Sequence, residues 1–505
     1  MISRRDFLRT VGAGVSALAL PGCVTGVREG VSERSKLPNV VFIMADDMGY
    51  GDVGCYNPQS KIRTPHMDAL ASQGMRFTDA HSPSAVCTPT RYGVLTGRYC
   101  WRTRLKRGVL GGFSEPLISK ERMTVAELLK EHGYRTACIG KWHLGVGWQS
   151  KDGGQITETK HADRVDFRKP LTDGPNDHGF DYSFITAACS TVDSPYVFIE
   201  NGRCTAEPTA TMERKDSVAR FGSRPGPMVP GWSNEDVDPT YVKKTKEFLN
   251  RHQQRHKDKP FFIYLPLSAP HAPWLPPDFV KGRSGEGPRG DLVALVDWCV
   301  GQVVDALDRM GLRDNTLVIV TSDNGPRIGA SGHKSAGSWR GYKSHVWEGG
   351  HRIPFVARWP GKIAPGTVND RLICLTDLMA SCAAIVGTKL PDNAGQDSFN
   401  ILPALLGEKA EGPIRAQLVS HSSKGVFAVR QGQWKLILET KGSGGWVDPR
   451  DRGPIGPDKP GQLYNLANDP YEENDLWDNH PEIVDRLRNL LERYKQQGYS
   501  RPPGS

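Results

Sequence analysis

The sequence predicts an α/β protein: a large doubly wound, mostly parallel sheet flanked by helices, with a smaller C-terminal α+β subdomain holding a short antiparallel sheet and a helix. Three observations predict it. Short apolar runs repeatedly stop at clusters of polar residues, helical patterns fill the gaps between them, and after about Lys389 the alternation gives way to a hairpin and one amphipathic helix. With 505 residues, 38% hydrophobic and 24% charged, the chain is of ordinary globular composition, which excludes collagen, coiled coil and general disorder. Lys plus Arg is 65 against 56 for Asp plus Glu, a net +9 that suits an anionic partner without choosing among nucleic acid, acidic polysaccharide and lipid. Ten cysteines are too dilute here for a disulfide scaffold, so each is read where it stands.

Residues 1–36 read as an address. Ser3-Arg4-Arg5-Asp6-Phe7-Leu8 precedes an uncharged stretch from Thr10 to Val27, the pattern of a twin-arginine export signal. Pro21 and Gly22 interrupt that stretch, so a permanent transmembrane helix is the weaker reading. Leu20-Pro21-Gly22-Cys23 resembles a lipobox whose cysteine carries a lipid anchor, with simple cleavage as the alternative. The expected location is therefore the periplasm, or the envelope through Cys23.

Residues 37–388 are read as the catalytic domain. Val40 to Met44 runs into Asp46-Asp47, Arg135 to Ile139 into Lys141-Trp142-His143, Phe261 to Leu265 into His271, and Leu317 to Val320 into Asp323-Asn324. In open α/β sheets ligands bind beyond the carboxyl ends of the strands, so these four clusters are expected to converge. Thr124 and Glu127 have capping-box spacing before Leu128-Leu129, and Asp291 to Met310 carries a helical apolar stripe. Residues from about 150 to 235, rich in Gly, Pro, Asp and Arg, read as long loops. Residues 389–505 are read as the subdomain: Val426–Val429 and Trp434–Leu438 form the hairpin, and Ile483, Val484, Leu487, Leu490, Leu491 and Tyr494 mark the last helix.

The most specific feature is Cys87-Thr88-Pro89-Thr90-Arg91, continuing through Leu95-Thr96-Gly97-Arg98. Cys87 and Arg91 are four apart, so a helix starting near Pro89 brings the guanidinium toward position 87. This C-x-P-x-R…L-T-G-R pattern resembles the signature of the type I sulfatases, members of the alkaline-phosphatase-like superfamily, in which the cysteine is converted to formylglycine. The resemblance extends over nearly the whole chain after residue 36. It implies that Asp46, Asp47, Asp323 and Asn324 hold a divalent cation, with the residue made from Cys87 as a further ligand. All four offer oxygen, the ligand of hard cations, and the cation is read as Ca²⁺ with Mg²⁺ as the alternative. It also implies that Lys141, His143, His271 and Lys343 belong to the active site. Lys141, Lys343 and His271 would bind the sulfuryl oxygens, His271 or Lys343 would protonate the leaving alcohol, Arg91 would orient residue 87, and His143 would act as base. Lys141 and His143 are two apart, so an extended backbone points both the same way.

The expected reaction is hydrolysis of a sulfate monoester. The Cys87 segment and Glu348-Gly349-Gly350-His351-Arg352 look like bacterial relatives of N-acetylgalactosamine-6-sulfatase, which implies a 6-O-sulfated galactose or N-acetylgalactosamine. The implied partners are the sulfated glycan, a formylglycine-generating maturation enzyme and the twin-arginine export machinery, with no nucleic acid. Two rivals are a phosphonate or phosphate ester hydrolase of the same superfamily and a non-catalytic binder of sulfated glycan. Trp101, Trp142, Trp274 and Trp339 are candidates for stacking on sugar rings, although most tryptophans are core residues. Arg98, Arg102, Arg104, Lys106 and Arg107 read either as a basic cleft rim or as a solvated loop.

Overall fold

A computed structural model of the chain describes residues 37–214, 222–327, 333–409, 412–439, 442–446 and 460–502. The segment read as an export signal, Cys23 included, lies outside the described residues. No helix among the described residues is long and apolar enough to cross a membrane.

Residues 37–505 form one compact unit built on a ten-stranded sheet. Its centre holds five parallel strands side by side: Thr316–Ser322, Asn39–Ala45, Phe261–Pro266, Arg135–Lys141 and Tyr182–Thr186. Phe355–Arg358 joins this core antiparallel beside Thr316–Ser322. The central runs are apolar throughout because both faces are covered. Along Asn39–Ala45, residues Val40, Phe42 and Met44 enter one core layer, while Val41, Ile43 and Ala45 enter the other. The first layer is closed by the helices Cys87–Thr96, Val125–Glu131 and Leu378–Val386, the second by Val237–Arg255 and Gly287–Arg309. A one-residue slip would exchange the two layers, so the register that aligns the strand ends is held by packing on both sides. The capping box at Thr124 forms as expected, with Glu127 N donating to Thr124 Oγ1 at 3.1 Å and Thr124 N to Glu127 Oε2 at 2.8 Å.

One expectation needs correction. The segment read as long loops contains Tyr182–Thr186, a fully buried strand of the main sheet. Three of the five residues in its Tyr-Ser-Phe-Ile-Thr sequence carry hydroxyls, and these are satisfied locally, Ser183 Oγ donating to Asn176 Oδ1 at 2.7 Å. The apolar run is therefore shorter than the strand.

Gly140 shows how tightly the strand ends are packed. It has φ +140°, and a Cβ there would sit 2.0 Å from the Pro266 carbonyl oxygen of the neighbouring strand. Gly140→Ala should cost about 2–4 kcal/mol from backbone strain and overpacking. A urea unfolding midpoint equal to that of the parent would contradict the close approach.

The C-terminal residues build a four-stranded antiparallel sheet, Gln417–His421, Phe427–Gln431, Trp434–Ile437 and Gln462–Asn465, in that order. The helix Pro481–Gln497 lays its apolar stripe, Ile483 to Tyr494, on this sheet. The sheet also reaches the catalytic part: Ser84 bridges His421, and Ala85 N donates to His421 O at 3.0 Å. All nine described cysteines are free thiols.

Candidate active site

Four strands end at one edge of the sheet, and their next residues meet there. Ala45 pairs with Ser322 and Met44 with Pro266, so Asp46, Asp323 and the turn leading to His271 leave the sheet at the same level. Backbone bonds lock the exits together: Asp46 N donates to Ala269 O and Asp323 N to Ala45 O, both at 3.0 Å. Asp47 turns back with φ +69°, a conformation uncommon outside glycine and characteristic of functional sites.

Cys87 is the first residue of its helix and is buried, 2% exposed. Its Sγ lies 3.4 Å from Asp46 Oδ1 and 3.4 Å from Lys343 Nζ. The positive end of the helix favours developing negative charge at this position. Arg91, one turn on, is fully buried. It donates to Asp323 Oδ2 at 2.7 Å and to Lys141 O at 3.0 Å, and lies 3.4 Å from Asp46 Oδ2. Lys141 Nζ pairs closely with Asp46 Oδ2, and Lys343 Nζ lies 2.6 Å from Asp47 Oδ1. The spacing thus brings Cys87, Arg91, Asp46, Asp47, Lys141, Asp323 and Lys343 into one charged cluster. His271 Nε2 joins it at 3.8 Å from Asp47 Oδ2.

The charges determine the protonation states. Burial works to raise the Asp46 carboxyl, but Lys141, His271 and Arg91 together hold it well below the usual range. Burial alone would depress Lys141, yet the Asp46 carboxylate keeps it protonated, well above the ordinary lysine value. Asp323 is pushed up to about 6 by burial and the Asp46 charge, with Arg91 opposing. Burial and the Asp323 and Asp46 carboxylates push the Cys87 thiol well above its usual value, so the thiol itself is a poor nucleophile here. His271 is lowered to about 4 by burial and the Lys343 charge, and burial with the Lys141 charge lowers His143 as well.

His143 departs from the expected arrangement. Lys141 ends its strand, but His143 has φ +57°, so the two side chains do not share one extended face. Its Nε2 hydrogen-bonds Leu110 O at 2.7 Å, and its buried Nδ1 has no hydrogen-bond partner. Leu110 N in turn donates to Thr88 Oγ1 at 3.1 Å, which links His143 to the Cys87 helix by another route.

The residues present fit a cation. Asp46, Asp47, Cys87 and His271 offer ligand atoms within 4.8 Å of one another. Two buried oxygens nearby, Asp47 Oδ2 and Asn324 Oδ1, accept no hydrogen bond. Asn324 spends its amide on Asp47 Oδ1 at 2.8 Å and Gly325 O at 2.9 Å, leaving its carbonyl for a hard cation. Asp323 stands slightly apart, its oxygens taken by Arg91 and by Asp47 N at 3.2 Å.

A second group, His81, Glu348 and His351, has metal-ligand composition but a different character. Lys435 Nζ lies 2.9 Å from Glu348 Oε1, and Arg352 Nε donates to Glu348 Oε2 at 2.9 Å. Cations of the chain already fill the space, so the group is a buried ionic network.

Sequence reasoning missed three supports. Cys189 Sγ lies 3.4 Å from His271 Nδ1, in the stretch read as loops. Asp238 accepts from Ser268 N at 2.8 Å and Ala269 N at 3.0 Å, holding the turn that presents His271. Arg289 forks onto Asp52 at 2.8 and 2.6 Å and donates to Asp47 O at 3.2 Å. A charged residue within an apolar helical stripe was the available signal for Asp238 and Arg289; Cys189 had none. The stacking role is corrected for three tryptophans: Trp142 is buried against His178 and Phe180, Trp101 packs in the C-terminal core, and Trp274 packs in the second core layer.

Residues 38–388 match the Sulfatase family. The chain is similar to an N-acetylgalactosamine-6-O-sulfatase of Bacteroides thetaiotaomicron, 36% identical over 94% of this chain and 96% of that protein. It is similar to human arylsulfatase A, 35% identical over 90% of this chain and 87% of that protein. Among solved structures, one from work on the metabolism of multiple glycosaminoglycans by Bacteroides thetaiotaomicron superposes with a TM-score of 0.79 at 34% identity, covering 92% of this chain and 100% of that chain.

Proposed function

The chain belongs to the sulfatase family and is a sulfuric ester hydrolase; from that premise we propose that it removes sulfate from 6-O-sulfated N-acetylgalactosamine or galactose, using a formylglycine made from Cys87 and a bound Ca²⁺ or Mg²⁺. The observation that carries this reading is the position of Cys87, 3.4 Å from both Asp46 Oδ1 and Lys343 Nζ at the start of a buried helix. A thiol whose ionisation is opposed by burial and two carboxylates is poorly suited to attack, whereas a hydroxyl in the same place has a base and cations around it. The sugar assignment is supported by the name and coverage of the Bacteroides relative.

Asp46, Asp47, Asp323 and Asn324 would hold the cation, with the unpartnered Asp47 Oδ2 and Asn324 Oδ1 as ready ligands. When bound, it supplies Lewis-acid polarisation and charge neutralisation beside residue 87. The chain's own residues do the rest. Lys141 and Lys343, both held protonated by neighbouring carboxylates, bind the sulfuryl oxygens. Arg91 orients residue 87 from the next turn of the helix. One hydroxyl of the hydrated formylglycine at residue 87 forms a bond to the sulfur as the S–O bond to the alcohol breaks, and His271 or Lys343 relays the attacking hydroxyl's proton to the departing oxygen. His143 stays neutral through burial, and its free Nδ1 takes the proton from the second hydroxyl at residue 87, so that the C–O bond to the sulfate breaks, sulfate leaves and the aldehyde is restored. The expected periplasmic location, with or without a lipid on Cys23, is part of the same proposal and rests on the sequence of residues 1–36.

The test is a parallel assay on N-acetylgalactosamine carrying sulfate at O6 or at O4, and on an aryl phosphate. Sulfate should leave the 6-O ester at least about 100-fold faster, in kcat/KM, than the 4-O ester. Dialysis against a chelator should remove at least about 99% of the activity, and Ca²⁺ or Mg²⁺ should restore it. Faster release of phosphate than sulfate would overturn the substrate class, and full activity after verified metal removal would overturn the cation.

A further inference from the structure

A cavity of about 520 Å³ lies between the loop that follows the Cys87 helix and the turn at residues 422–425. Of its ten lining residues six are lysine or arginine and none is acidic. Two of the six are neutralised: Arg102 forks onto Asp397 at 2.9 and 2.8 Å, and Lys495 pairs with Glu492 at 2.7 Å. The other four, Arg98, Lys106, Arg107 and Lys424, have no carboxylate within ion-pair distance among the described residues. Arg98 donates to Tyr92 Oη and Arg102 O, both at 3.5 Å, and Lys106 to Trp101 O at 2.7 Å, all neutral acceptors. Trp101 and Phe427, in edge-to-face contact at 5.5 Å, make the apolar wall.

Like charges gathered against a low-dielectric wall repel one another and focus their field on whatever enters, an arrangement complementary to an anion. The cavity is built, since Gly425 allows the two loops to touch: a Cβ there would lie 2.9 Å from Lys106 O. It also stands close to the reacting centre. Leu110, three residues beyond Arg107, bonds Thr88 and His143, so Arg107 lies within about 11 Å of that contact even if the chain is fully extended. Ser423, next to Lys424, donates its N–H to Ser344 O at 3.1 Å, and Ser344 follows Lys343.

We infer that this basic cavity is a second anion subsite, which receives the carboxylate or sulfate of a saccharide unit neighbouring the one being desulfated. The inference rests on the sulfated-glycan reading above and adds that the enzyme prefers an anionic chain to a single sugar. Its occupant is a further unit of the same substrate, recognised by charge against four lysine and arginine side chains and by apolar contact with Phe427.

Two ligands and one double variant, Arg107→Ser/Lys424→Ser, test it. Both side chains are exposed and outside the catalytic cluster. In full-length protein carrying Cys87→Ala, calorimetric titration with a tetrasaccharide that alternates hexuronate and 6-O-sulfated N-acetylgalactosamine should show about 10-fold weaker binding in the variant. Binding of the 6-O-sulfated monosaccharide should stay within about twofold. In the turnover-competent protein the KM for the tetrasaccharide should rise about 10-fold at unchanged kcat. Carboxyl-reduced tetrasaccharide separates the two sources: if it loses the preference, the subsite reads uronate, and if it keeps it, a second sulfate. Equal tetrasaccharide affinity in parent and variant, equal losses on both ligands, or inorganic sulfate binding as tightly as the tetrasaccharide would each overturn the subsite. Failure of the parent to release sulfate from the monosaccharide would instead overturn the substrate reading, and the titration would still decide the cavity.

Discussion

Replacing Cys87 by alanine is expected to lower sulfate release by at least about four orders of magnitude, the scale seen when a covalent nucleophile is removed. The fold should survive: the substitution deletes one buried sulfur and creates no new charge, so the unfolding free energy should change by about 1 kcal/mol or less. Circular dichroism and a urea melt check the second statement, an assay with a sulfated sugar the first. A companion measurement examines the chemistry of residue 87 directly. Trypsin cuts after Arg76 and Arg91, and in active, homologously expressed protein the peptide Phe77–Arg91 should have exchanged one sulfur and two hydrogens for one oxygen. An intact thiol in that active protein would move the nucleophile elsewhere, as would normal turnover by the alanine variant.

The largest expected effect on stability lies away from the reaction. Lys435, in the C-terminal sheet, places its Nζ 2.9 Å from Glu348 Oε1, 2.8 Å from Glu472 Oε1 and 3.2 Å from His351 Nε2. All four residues are buried. Burial opposes ionisation of both acids, but Lys435 and Arg352 hold Glu348 well below the usual range. Glu472 is pushed up to about 7 by burial and the Glu348 charge, with Lys435 opposing. Lys435→Met keeps the stem and removes the lysine shared by both acids, which should destabilise the protein by about 3–5 kcal/mol. The pH dependence has a definite sign. Between the ordinary glutamate value and about 7 the folded state binds the Glu472 proton more tightly than the unfolded state does. Its contribution therefore favours folding at low pH and is lost as pH rises through that window. Urea midpoints at pH 5 and pH 8 check both claims: the loss in Lys435→Met should be larger at pH 8, and a midpoint unchanged from the parent at both would show the network to be energetically idle.

Much of this site is legible in the sequence because of how parallel strands are made. A strand buried on both faces reads as an unbroken apolar run, and its carboxyl end is where polarity returns. Asp46, Lys141 and Asp323 are visible for that reason, and Cys87 because its motif is contiguous. His143 is legible by position but not in orientation, since neither its positive φ nor its contact with Leu110, thirty-three residues away, is written in the local pattern. The strand Tyr182–Thr186 was hidden by its hydroxyls. Asp238, Cys189 and the Lys435 network escaped because each gains meaning only from a partner far along the chain, and a single buried acid or thiol looks the same in sequence whether or not it supports a catalytic turn. The basic loop is visible in the sequence but admits two readings there; Lys424, more than three hundred residues later, makes a cavity of it.

The pairing of Gln417–His421 with the segment before Cys87 also sets a clock on synthesis. Ala85, two residues short of Cys87, bonds His421, and in the finished protein Cys87 is buried. Residue 417 follows residue 87 by 330 positions, so at roughly 5–20 residues per second the ribosome delivers the closing strand roughly 15–70 s after the cysteine emerges. On the proposed conversion of Cys87 to formylglycine, the converting enzyme would have that interval, and the last fifth of the chain ends it.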